Sequence, residues 1–93
     1  MTAYAVVTLT VKDPETLAAY REKAGAALAK YSAAPLAVSA ETQIIEGDMP
    51  APDVTVILTF PDKDHALGWI NDPDLAETHA LRQGAGVSNI VLL

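Results

Sequence analysis

Apolar residues follow two rhythms along this chain. Residues 4–11, YAVVTLTV, are β-branched and alternate in character: Ala5, Val7, Leu9 and Val11 fall on one side, Tyr4, Val6, Thr8 and Thr10 on the other. That period of two predicts a strand. The rhythm then changes. Leu17, Tyr20, Ala24, Ala27, Leu28 and Tyr31 recur at steps of three and four, the stripe of an amphipathic helix, with Arg21, Glu22, Lys23 and Lys30 on its other sides. Asp13-Pro14-Glu15 supplies a cap, a first helical residue with no N–H to satisfy, and a first-turn acid. Ser32-Ala33-Ala34-Pro35 ends the helix, because proline biases its predecessor towards extended backbone. Residues 36–46 are expected to form a second strand and residues 54–60 a third. The breaker-rich loop Glu46-Gly47-Asp48-Met49-Pro50-Ala51-Pro52 between them implies antiparallel pairing. Asp62 is placed to cap another helix, with Ala66, Leu67, Trp69 and Ile70 as its buried side. Asn71-Asp72-Pro73-Asp74 breaks that helix, Asp72 capping a new start at Pro73. A helix from Leu75 to about Gln83 should stop near Gly84 or Gly86, leaving residues 87–93 as a last strand.

The order is β-α-β-β-α-β with the second helix in two pieces. This is the ferredoxin-like, split βαβ arrangement of an α+β domain: a four-stranded antiparallel sheet with its helices on one face. Residues 1–93 form a single domain. In the third strand Val54, Val56, Leu58 and Phe60 point one way, and Thr55, Ile57 and Thr59 the other. The second sheet face is still half apolar, and no remaining segment can cover it. A homodimer through packed sheet faces is therefore expected, the two sheets making an α/β barrel.

Composition narrows the function classes. The formal net charge is −6, with no Lys/Arg stripe, so neither nucleic acid nor an anionic membrane is an expected partner. There is no Cys, which removes disulfides, thiolate metal sites and thiol nucleophiles. The N-terminus has no basic region followed by an apolar core, and no apolar run reaches the roughly 18 residues of a membrane helix. The expectation is a soluble cytoplasmic protein. No cofactor is called for. His65, beside Asp62 and Asp64, lacks the spacing to a second His that would make a metal site, so no metal is expected.

Five pieces, DPETLAAYREKA and KY in the first helix, IIEGD before the central loop, VILTFPDKDHALGWINDP and LRQGAGVSNIVLL, stand in an order and spacing that resemble the bacterial family called domain of unknown function 1330, in the dimeric α/β-barrel superfamily. The resemblance covers nearly the whole chain. It implies a ferredoxin-like subunit and a dimer, and no activity. The chain departs from the family where Ser32-Ala33-Ala34 replaces a frequent Gly pair, and where Val38-Ser39-Ala40 replaces an Arg followed by small residues. Ile70 and Leu75 stand where many members carry Tyr. These departures imply a more apolar pocket.

Several residues have both a chemical and a structural reading. Trp69 could wall a ligand pocket between helices and sheet, or simply anchor the core. Leu75, His79 and Arg82 share one helical face. On that face Arg82 could hold a carboxylate or enolate, and His79 could act as a general base; equally, Arg82 could pair with Glu46, Asp48 or Asp62 while His79 lies at the surface. Tyr20 and Tyr31 could lend hydroxyls to a pocket or only pack. Asn89 could line a pocket mouth or belong to strand pairing. The ligand-binding candidates are thus Arg82, Trp69, Tyr20 and Asn89, with His79 the one catalytic candidate. The leading expectation is a small-molecule-binding protein whose pocket is partly closed by residues 47–52. A cofactor-independent acid/base enzyme acting on a small apolar or anionic metabolite, or a non-catalytic dimeric structural module, are the alternatives.

Overall fold

A computed structural model describes residues 1–93. Its elements are β1 (Ala3–Val11), α1 (Pro14–Lys30), β2 (Ala34–Ser39), β3 (Val54–Phe60), α2 (Lys63–Asn71), a 3-10 turn (Pro73–Leu75), α3 (Ala76–Gly84) and β4 (Gly86–Leu92). The sheet order is β2-β3-β1-β4 and every neighbouring pair is antiparallel. This is the ferredoxin-like topology that the pattern predicts. The Cα framework spans 33 × 31 × 17 Å, the thin direction holding one sheet and one helical layer. No helix is long and apolar enough to cross a membrane.

The helix starts are set by local chemistry. Asp13 accepts from the Thr16 N–H and hydroxyl, and Asp62 from the His65 N–H. Asp72 accepts from the Asp74 N–H at 2.8 Å, opening the 3-10 turn at Pro73. The end of α1 is a left-handed turn. Ser32 has φ 55°, and the Ala33 N–H reaches back to the Leu28 carbonyl at 2.9 Å. Ser32 thus places a side chain on backbone that favours glycine. At the far end, α3 stops at Gly84 with Ala85 still right-handed, so no glycine is left-handed there. Gly86 serves another need: a Cβ on it would lie 1.8 Å from the Thr10 carbonyl oxygen.

Ala3, Ala5, Val7, Leu9, Leu58 and Phe60 are buried under the helices, as the alternation requires. Two expectations are corrected. β2 begins at Ala34 and ends at Ser39, rather than running from 36 to 46, because its partner β3 pairs only as far as Ser39↔Thr55. Pro35 is tolerated because β2 is an edge strand with a register shift beside it. Leu67 is half-exposed rather than buried, since it lies about 100° round the helix from Ala66 and about 160° from Trp69, the two inward residues.

The two helical halves are tied at one acid. Asp72 Oδ2 accepts from Lys30 Nζ at 2.6 Å and from the Tyr31 hydroxyl at 2.7 Å, joining the end of α1 to the break after α2. Lys30, then Tyr31, then the Asp74 amide hold the Asp72 carboxyl down to about 2 from an ordinary 3.8. A depressed carboxylate contributes stability that is complete above its unfolded value and is lost as pH falls towards its folded one. The wild type's advantage in melting temperature over Asp72→Asn is therefore expected to be full above pH 4 or so. It should fall to a small remainder near pH 2 and vanish below it, as a pair of circular-dichroism melting series would show. An advantage that persists unchanged to pH 2 would remove Asp72 from this role.

Candidate functional site

Between α1 and the strands β1 and β3 lies a cavity of about 300 Å³. Leu17, Tyr20, Ala24 and Leu28 form its helical wall, and Val7, Leu9, Val54, Val56 and Leu58 its floor. It opens beside Arg21, Gly25, Pro35 and Val38, all exposed. The stripe on α1 explains the space. Only Leu17, Ala27 and Leu28 are buried, whereas Tyr20 and Ala24 face the cavity and remain half-buried. Residues 47–52, expected to help close a pocket, contribute nothing to its lining.

The polar end of the cavity comes from α3, whose inward face carries Thr78, His79 and Arg82. Arg82 is only 2% exposed and lines the cavity. No carboxylate lies within ion-pair distance of it, so the pairing with Glu46, Asp48 or Asp62 does not form. Its guanidinium rests 5.7 Å from the Tyr20 ring centre and 5.4 Å from that of Trp69. Its one hydrogen bond runs from Nη1 to His79 Nδ1 at 2.8 Å, and its buried Nε has no partner.

His79 is 5% exposed, not at the surface. Its Nε2 lies 2.8 Å from the Trp69 carbonyl oxygen. That carbonyl would ordinarily accept from the N–H four residues on, but residue 73 is proline and has none. His79 Nε2–H fills the vacancy, which leaves Nδ1 as an acceptor for Arg82 and the ring neutral. Burial pushes the His79 pKa down and the Arg82 charge adds to this, against the Trp69 carbonyl. Both ring nitrogens are thus engaged. The Trp69 ring meets the His79 ring edge-on at 4.7 Å and tilts against Phe60 at 5.6 Å.

Arg82, Tyr20, Trp69 and His79 are brought together, although Trp69 is in contact with Arg82 rather than on the cavity wall. Asn89 stands apart. It pairs with Thr8 in register, on the sheet face away from the helices, while Ile90 and Leu92 turn towards the core. Tyr31 is spent on Asp72, and His65 on Asp62, with Nδ1 to Oδ1 at 2.6 Å. Arg21 is the lining residue that the pattern assigns to the helix's polar side.

The family model described as "Domain of unknown function (DUF1330)" matches residues 2–93. The chain belongs to this family. Curated protein sequences give no match to it. Among solved structures, the DUF1330 chain is similar to a protein of unknown function from Rhodopseudomonas palustris, with a TM-score of 0.76 and 20% identity, covering 99% of this chain and 80% of that one. It is also similar to a dimeric ferredoxin-like protein of unknown function from Jannaschia sp. CCS1, with a TM-score of 0.72, 11% identity and coverage of 100% and 98%. A third is SnoaB, a cofactor-independent oxygenase from Streptomyces nogalater, with a TM-score of 0.71, 13% identity and coverage of 99% and 90%. At these identities the likeness establishes the fold of this DUF1330 protein alone.

Proposed function

We propose that this protein binds a small, mostly apolar anion in the cavity between α1 and the sheet, with Arg82 as the counter-charge. The observation that carries this reading is a buried guanidinium facing an apolar cavity without a carboxylate partner. Burying an unpaired ion costs several kcal/mol, and an anionic ligand offsets that cost. His79 acts as a positioning residue: held by the Trp69 carbonyl, it fixes the Nη1 side of Arg82. Binding is favoured over acid/base catalysis because the one histidine near the cavity has no free ring nitrogen. The similarity to an oxygenase extends to fold and not to reaction.

A titration with octanoate tests the reading, using the emission of Trp69, the only Trp, and the melting temperature. Saturable change in both is expected, with about 2.7 kcal/mol of stabilisation at a hundredfold excess over Kd. If carboxylates from butanoate to decanoate leave emission and melting unmoved, the cavity is not an anion site.

The uncovered sheet face is proposed to join two copies. Tyr4, Val87, Val91 and Leu93 are exposed there, around the central cross-strand pair Val6↔Ile57. Similar structures are described as dimeric ferredoxin-like proteins. Light scattering should give about twice the 9.8 kDa chain mass, and the Val6→Lys/Ile57→Lys double variant should be monomeric. A wild-type mass near 9.8 kDa at micromolar concentration would exclude this dimer.

A further inference from the structure

Two arginines occur in the whole chain, Arg21 and Arg82, and both line the same cavity. None of the 12 Asp and Glu residues does, in a protein of net charge −6. Neither arginine has a carboxylate within ion-pair distance. An acidic chain that keeps every acid away from one apolar cavity while giving it both arginines sets up a local field for negative charge. The two cations differ in depth. Arg82 is buried beside Tyr20, whereas Arg21 is exposed at the opening. An acidic group sealed against the first cannot also sit in solvent beside the second. Between them the wall is apolar, formed by Leu17, Tyr20 and Ala24.

We infer that the ligand is a dianion with an acidic group at each end of an apolar body, the inner group on Arg82 and the outer on Arg21. This rests on the binding reading given above and adds the second charge. The inner contact is desolvated and resists salt. The outer one is a surface ion pair, so it contributes a modest factor that salt removes.

Suberate and octanoate, both eight carbons long, form the matched pair of probes. Titrated against the full chain at low ionic strength, suberate should bind about two- to fivefold more tightly than octanoate. Arg21→Gln should abolish that preference, so that suberate and octanoate bind this variant equally well. About 0.5 M NaCl should also abolish it in the wild type, because screening then acts within a few ångströms. Arg82→Met should weaken both probes; where circular dichroism shows that variant unfolded, Ala24→Leu, which fills the cavity from α1, replaces it with the same expectation. If octanoate binds and suberate binds no better, or if the suberate preference survives Arg21→Gln, the second charge is refuted while the anion site stands. If neither probe binds, the anion site falls as well.

Discussion

Arg82→Met should remove anion binding almost completely while leaving the fold about as stable as before. The two halves of that expectation have one cause. Truncating a desolvated charge that meets an opposite charge costs about 2–5 kcal/mol of affinity, so octanoate should bind roughly 30- to 5,000-fold more weakly. Breaking a buried ion pair would cost about 3–5 kcal/mol of stability as well, because the abandoned partner stays charged in a dry place. Here no such partner exists. Methionine keeps the contact with Tyr20 and Trp69, and the one group abandoned is the neutral His79 Nδ1. An orphaned neutral acceptor costs about 1–3 kcal/mol, offset by relief of an uncompensated charge. Urea unfolding should therefore place the variant within about 1 kcal/mol of wild type, the balance of those two terms. A loss above about 3 kcal/mol would mean that Arg82 holds the fold together and that its burial says nothing of a ligand.

The largest stability loss is expected at Trp69→Ala. Trp69 is 3% exposed, and its ring packs against Phe60 and edge-on to His79. Emptying such a position costs about 3–5 kcal/mol. Domains of this kind hold about 5–15 kcal/mol in all, and a thin two-layer subunit lies towards the lower end. The urea midpoint, followed by circular dichroism, should drop by roughly 2–3 M. Octanoate affinity should fall too, since one of the two rings flanking Arg82 is gone. A stability loss below about 1.5 kcal/mol would show that the site closes over the gap and that Trp69 is no anchor.

What the sequence reveals here depends on range. Asp13, Asp62 and Asp72 each cap the element that the pattern assigns to them, because a cap needs only its own next three residues. β3 is legible end to end because Pro52-Asp53 and Pro61-Asp62 bound its unbroken β-branched run. β2 is not. Thr42, Ile44 and Ile45 have strand chemistry, but a strand extends only as far as its partner, and Ile45 is left 94% exposed. The face shared by His79 and Arg82 follows from spacing alone, and the vacant Trp69 carbonyl could have been found from Pro73. Asn89's side of the sheet was also open to inference, since it shares parity with Val87 and Val91. Arg21 was not: a charge beside a helical stripe looks like a solvated one until the space next to it is known. That space is set by which α1 side chains are too short to reach the floor, a property of packing across three elements.

The cavity also parts the interior. Leu9, Leu17 and Ala85 form one buried group, separate from the nine residues around Phe60 and Trp69. Three side chains give the smaller group little to resist transient opening. Amide protons of its cooperative unit, at Leu9 and Leu17, should exchange with solvent sooner than those at Val7 and Leu58. A molecule seated in the cavity touches both groups, and would couple two regions that otherwise open independently.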